Sequence, residues 1–194
     1  MAHRQSITFS LSVTLVLLTA SMALIASRAG AAYSHLSRPH KGTNLMLAAV
    51  CTRTDYPALC MSLARSTTRN RPVTVAGVAK QAIMVTIVKT KQARALADKL
   101  MAASARDPMQ QANLKVCGEV YKDALSNLSK STRNLKGRSI ADLKINLSAA
   151  LTDYMVCEDG FSQTPGAKSP LRSWNSLLSQ FASNNLALAS SPMR

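Results

Sequence analysis

A chain of 194 residues is long enough for one domain with a proper core, and its 24 Lys and Arg against nine Asp and Glu give a formal charge of +15 at pH 7. A field of that sign retains a protein near polyanions, but one Trp, four Tyr and three Phe are scattered along the chain, which argues against a nucleic-acid surface built on stacking aromatics. The three histidines, His3, His35 and His40, all precede the predicted core, which excludes a hydrolase of the Ser–His or Cys–His design.

The chain opens on a short basic start, His3-Arg4, followed by an apolar run from Ile7 to Ala26 that holds Ser and Thr but no charge. Ala29-Gly30-Ala31 or Gly30-Ala31-Ala32 then offers a small-x-small cleavage site. That layout is a secretory signal peptide over residues 1–32. An uncleaved signal anchor is the competing reading, since the run approaches the ~20 residues that span a bilayer; its Ser and Thr content favours cleavage, and no membrane association is expected afterwards. Two arginines leave with the leader, so 22 basic residues stand against nine acidic ones, a charge of +13. Residues 33–42 form a mobile lead-in, and 43–194 are expected to be the folded domain. An oxidising secretory route suits its four cysteines.

A short helix is predicted from Asn44 to Cys51 and a second from Asp55 to Ser66, with Pro57 in its first turn, where a missing N–H costs nothing. Arg69-Asn70-Arg71-Pro72 ends this hairpin, assigned to 43–71, and 72–194 follow as a bundle. From Val73 to Ala105, Val75, Val78, Ala82, Val85, Ala93, Leu96, Leu100 and Ala103 share one helical face; Lys80, Lys91, Arg94 and Asp98 fall opposite, and Lys89 is the exception on the apolar side. Asp107-Pro108 reads as an N-cap and first helical residue. Leu114, Cys117, Tyr121, Ala124 and Leu128 line the next stripe, and Lys136-Gly137-Arg138 is the turn. Ser139 to Asp142 resembles a capping box with Asp in place of Glu. Leu143, Leu147, Ala150, Tyr154 and Cys157 form the following stripe, and Gly160 is expected to cap its C-terminus with Phe161 folding back. Ser169-Pro170 opens the last helix, whose core stripe is Leu171, Trp174, Leu178, Phe181 and Leu188. Four long helices with short connections predict an all-α, up-down-up-down four-helix bundle preceded by a short helical hairpin.

The cysteines fit that topology. Cys117 and Cys157 are equidistant from Gly137, so an antiparallel hairpin turning there sets them at one height; Cys51 and Cys60 are centred on Asp55-Tyr56 in the same way. Four cysteines allow three connectivities, and the symmetry favours Cys51–Cys60 with Cys117–Cys157.

Chemistry is sparse. The carboxylates stand singly apart from Glu158-Asp159, and neighbours on a helix diverge by about 100°, a poor acid–base couple. Once the cysteines pair, no cluster has metal-ligand spacing, and no Gly-rich phosphate loop occurs; no metal, cofactor or catalytic residue is expected. Asn127-Leu128-Ser129 and Asn146-Leu147-Ser148 make Asn127 and Asn146 glycosylation candidates, both within predicted helices.

Several segments carry a family resemblance. Cys51-Thr52-Arg53-Thr54-Asp55-Tyr56-Pro57-Ala58-Leu59-Cys60 fits C-x-x-T-x-Y-P-x-x-C, and Cys117-Gly118-Glu119-Val120-Tyr121-Lys122-Asp123-Ala124 fits C-x-E-x-Y-x-D-A. Ser148-Ala149-Ala150-Leu151-Thr152 followed by Cys157-Glu158-Asp159-Gly160-Phe161 fits S-A-A-L-T and C-x-D-G-F, and Ser183-Asn184-Asn185-Leu186-Ala187 fits the closing S-N-x-L-A. In this order the motifs resemble the plant invertase/pectin methylesterase inhibitor family. The resemblance implies the same disulfide pairing, secretion to the plant cell wall or apoplast, and a noncovalent one-to-one complex that covers an enzyme's substrate cleft. The S-A-A-L-T and C-x-D-G-F segments, and the lack of a Pro-Lys-Phe tripeptide, favour pectin methylesterase over acid invertase as the target. With the chain ending at Arg194, no catalytic domain is expected to follow. Val116, Asn146 and Val156 depart from the family's usual acidic residue, Trp and Thr. A third reading is a wall protein that inhibits nothing and associates with acidic pectin through its charge.

One face then stands out. On the helix from Ile140 to Asp159, the side opposite the core stripe carries Ala141, Ile145, Ser148, Thr152, Met155 and Asp159. An outward face is ordinarily charged, and this one is small or apolar until Asp159. Either another segment of the chain covers it, or it is a protein contact rimmed by Asp142, Lys144 and Asp159. Ile145, Ser148, Thr152, Met155 and Asp159 are the expected partner-binding residues.

Overall fold

The computed structural model describes residues 45–67 and 74–193. The leader at 1–32, the lead-in at 33–42 and the junction at Arg69–Pro72 lie outside the described residues. Those described form six helices and no strand: α1 (Leu45–Cys51), α2 (Pro57–Thr67), α3 (Val75–Ala103), α4 (Pro108–Lys136), α5 (Ile140–Ser162) and α6 (Arg172–Ala189). Helices α3 to α6 each pack on the next and α6 returns to α3, which closes the four-helix ring; α1 and α2 pair with each other, with α2 against α3 and α1 against α6.

Local chemistry sets the boundaries. The Thr74 hydroxyl accepts from the Gly77 N–H at 3.0 Å and starts α3. The Asp107 carboxylate does the same for Gln110 at 3.0 Å, and Pro108 occupies the first position of α4. The predicted capping box at α5 takes another form: the Ser139 hydroxyl donates to the Asp142 carboxylate at 2.6 Å, and no side chain caps the backbone. Gly160 does not end α5, which continues to Ser162 with Phe161 buried. A Cβ at Gly160 would meet the Asn113 amide oxygen at 3.4 Å, so the glycine admits α4 close against α5. The last helix begins at Arg172 and not at Ser169, whose hydroxyl accepts from the Leu171 N–H and donates to Glu158 at 2.6 Å, holding an irregular turn. At the α4–α5 turn, Gly137 stays right-handed and Arg138 takes the positive φ, 58°.

Both predicted disulfides form, Cys51–Cys60 and Cys117–Cys157. Each predicted core stripe of α4 and α5 is fully buried: Leu114, Cys117, Tyr121, Ala124 and Leu128 face Leu143, Leu147, Ala150, Tyr154 and Cys157. A second cluster joins Leu47, Val50, Leu63 and Ala64 of the hairpin to Val75, Val78, Ala79 and Ala82 of α3 and to Phe181 and Leu188 of α6. On the longest stripe Val85, Leu96 and Leu100 are half-buried and Ala103 is exposed. Trp174 is half-buried, with the Lys89 ammonium 5.8 Å from its ring centroid. That cation–π contact explains the one cation on the apolar side of α3.

Polar seams cross the core and fix α6. The Tyr121 hydroxyl donates to the Asn175 amide oxygen, whose amide nitrogen donates to Glu158 at 2.7 Å and to the Cys157 sulfur at 3.0 Å. Asn185 donates to the Thr86 hydroxyl at 3.0 Å, and the hydroxyls of Thr90 and Tyr154 lie 2.7 Å apart. Burial pushes both tyrosine pKa values well up, with Glu158 adding to the effect at Tyr121, so both remain neutral donors.

Asn184 anchors the hairpin. Its amide nitrogen donates to the Tyr56 carbonyl at 3.0 Å and its amide oxygen accepts from the Tyr56 N–H at 3.3 Å, while Ser183 donates to Asp55. Asn184→Ala leaves the Tyr56 N–H without its partner, while the Tyr56 carbonyl keeps the Cys60 N–H at 3.1 Å, at a cost of about 1 kcal/mol. Amide exchange and proteolysis should then accelerate at residues 52–56 while the bundle's unfolding midpoint moves little. A uniform loss of protection through α4 and α5 would show instead that Asn184 supports the whole fold.

Candidate interaction site on α5

Residues 145, 148, 152, 155 and 159 recur at intervals of three or four, which puts them on one side of an α-helix. The buried stripe of α5 turns inward, so this side turns out. All five predicted partner-binding residues are exposed, and none of the described residues covers them. Ile145 is 66% exposed and Met155 55%, and Val156 beside them is 38% exposed. Exposed side chains of that size gain about 1.5–3 kcal/mol each when fully buried. The Thr152 hydroxyl donates along its own helix to the Ser148 carbonyl at 3.2 Å, which occupies its donor and leaves its oxygen able to accept. Asp142 and Lys144 flank one end and Asp159 the other, all exposed.

The outer end of the stripe opens into a groove against α6. Met155, Asp159 and Ser162 form one wall, Arg172, Ser176 and Ser179 the other, around a volume of about 360 Å³. Asn175 and Glu158 lie at its inner edge, and Arg172 sits 3.7 Å from the Glu158 carboxylate. The α6 residues of this groove are absent from the sequence-based expectation. Ser176 and Ser179 are two among many small polar residues on this helix, and they do not register as a site until α5 lies beside them. Val116 and Val156, two departures from the family pattern, are each 38% exposed, and each precedes a member of one disulfide.

On the other flank of α5, Asp153 accepts from the Asn127 amide at 3.1 Å. Its carboxyl is pushed above the ordinary value of 3.8, chiefly by burial and also by the nearby Asp123 charge, with the Asn127 hydrogen bond opposing. A carboxyl of raised folded pKa binds protons more tightly folded than unfolded, so stability falls as pH rises from 3.8 through the folded value and stays lower above it. Asp153→Asn should therefore raise the thermal midpoint at neutral pH and flatten its decline between acid and neutral pH, since an Asn can still accept from Asn127. An equal destabilisation at every pH would contradict this assignment.

The two sequon asparagines sit in helix interiors and are half-buried. The Asn127 amide nitrogen serves Asp153, and that of Asn146 donates to the Asp142 carbonyl at 2.8 Å. Among the described residues no three His, Cys, Asp or Glu side chains converge as metal ligands, and no helix is long and apolar enough to cross a membrane.

The sequence profile described as plant invertase/pectin methylesterase inhibitor matches residues 45–188. A pectinesterase inhibitor from Actinidia deliciosa is 27% identical over 131 residues, spanning 68% of this chain and 70% of its own. A Platanus orientalis protein named for invertase inhibition is 33% identical over 82 residues, 42% of this chain and 48% of its own. A mutant form of a pectin methylesterase inhibitor from Arabidopsis superposes with a TM-score of 0.64 over 76% of this chain and 98% of that one, at 17% identity. The superposition speaks to the fold alone.

Proposed function

The chain belongs to the plant invertase/pectin methylesterase inhibitor family, and from that premise we propose that it is a secreted inhibitor of pectin methylesterase that covers the enzyme's substrate cleft in a noncovalent one-to-one complex. The observation that carries this reading is the exposed apolar stripe of α5, with Ile145, Ser148, Thr152, Met155 and Asp159 as contacts. Its shape is that of an interface core with a charged rim. Met155 supplies an adaptable apolar contact, and Thr152 and Asp159 supply polar ones. Inhibition needs no chemistry from the inhibitor, since occupation of the cleft is enough.

Acid invertase is the second reading, and the invertase-named relative supports it. Titrating the purified protein against each enzyme separates the two. Loss of methylesterase activity at one equivalent, with invertase untouched, is the expected result. Inhibition of invertase alone would reverse the assignment, and inhibition of neither would leave a wall protein held by its charge. In the apoplast Asn127 and Asn146 are the sites at which the mass of the secreted protein would report glycans.

A further inference from the structure

Charge is unevenly divided among the bundle helices. Helix α5 carries four of the chain's nine carboxylates, Asp142, Asp153, Glu158 and Asp159, against Lys144. Helices α3 and α4 carry ten cations against Asp98, Glu119 and Asp123. On α3, Lys80, Lys91, Arg94 and Asp98 recur on one side; on α4, Lys115, Lys122, Arg133 and Lys136 do the same. Two contacts give the register of this antiparallel pair. A Cβ at Gly118 would meet the Asp98 carboxylate at 3.3 Å, and the Gln111 amide reaches the Met101 carbonyl at 3.5 Å. Counting back from them sets Lys91 and Arg94 at the height of Lys122, and Lys80 at the height of Arg133 and Lys136. Asp98 lies on the α4 side of α3, so the stripe containing it flanks the groove between the two helices.

Seven cations thus line one groove with two carboxylates, Asp98, which Arg94 meets at 4.0 Å, and Glu119, which shares the α4 face of Lys115 and Lys122. Lys80, Lys91, Lys115, Lys122 and Lys136 are exposed and make no ion pair among the described residues. Like charges so placed repel, and a linear polyanion laid along the groove relieves that repulsion while releasing its own counterions.

We propose that the α3–α4 groove binds a polyuronate, the carboxylate-bearing chain that pectin becomes when its methyl esters are removed. The choice of polyuronate rests on the inhibitor reading above; the groove itself does not. Nucleic acid is disfavoured because Tyr121 and Tyr154 are buried and Trp174 packs on Lys89, leaving no stacking platform among these stripes. The groove is separate from the α5 stripe, so the enzyme and its anionic product can be held together. The protein would collect where demethylesterification has already occurred, and a fully esterified chain would not retain it.

Binding of the full protein to polygalacturonate at low salt tests this, with highly methyl-esterified pectin as the neutral comparison. Replacing Lys80, Lys91, Lys122 and Lys136 by Gln should weaken polygalacturonate binding by at least about tenfold and lower its salt dependence. Replacing Lys99, Arg106, Lys130 and Lys168 by Gln removes the same charge elsewhere and should leave binding nearly unchanged. Equal losses in both variants, equal binding to esterified pectin, or tighter binding to duplex RNA or to anionic vesicles would overturn the proposal. Methylesterase inhibition measured in parallel on a soluble substrate should be unchanged in the groove variant. Inhibition failing in the unsubstituted protein would sink the inhibitor reading while leaving the groove's polyanion binding standing.

Discussion

Thr152→Arg is expected to raise the inhibition constant for pectin methylesterase by about two orders of magnitude, because a charge placed in a desolvated contact without a partner costs several kcal/mol. Thr152 sits midway along the outward stripe, between Ser148 and Met155, and its hydroxyl is already satisfied by the Ser148 carbonyl. The free protein makes no other use of this side chain, and arginine is a good helix former. Helicity and thermal midpoint should therefore stay nearly unchanged. That combination separates a lost contact from a lost fold. Full inhibition by the variant would remove this face from the binding site, and so would a loss of inhibition that tracks unfolding. Ile145→Glu, at the other end of the stripe, gives a second reading of the same surface, with a smaller expected loss.

Replacing Cys117 and Cys157 together by Ala is expected to cost about 4 kcal/mol of stability on the chain-entropy model, from the release of a loop closed across 40 residues. For a domain of this size that corresponds to a midpoint lower by roughly 8–16 °C. The bridge is buried, and its Cys157 sulfur accepts from Asn175, so the same change also leaves that amide short of a partner. Removing Cys51 and Cys60 opens a much shorter loop, worth about 3 kcal/mol on the same model. That loss should fall on the hairpin, which Asn184, Ser183 and its apolar packing on α3 and α6 also hold, and leave the bundle's midpoint nearly in place. A bundle midpoint that drops by only a degree or two without Cys117–Cys157 would mean that packing alone sets the α4–α5 pair.

The six helices, both disulfides and the fully buried stripes of α4 and α5 were legible in the sequence. Each depends on local periodicity or on equidistance from a turn. An apolar residue every three or four positions has only one way to face a core, and two cysteines equally far from a tight turn meet without further information. The α5 outward stripe was legible for the same reason, as the complement of its core stripe. What only the tertiary structure decided depends on which helices are neighbours and at what height. Gly160 looked like a terminator and instead admits Asn113 of α4. Asn175, Asn184 and Asn185 find partners 54, 128 and 99 residues away. Asn is ambiguous in a helical pattern, because a buried amide is tolerated only where a distant partner meets it. The same limit applies to charge: a count gives +15, but whether the cations gather in one groove is set by the register between α3 and α4, a long-range property that no window along the chain contains.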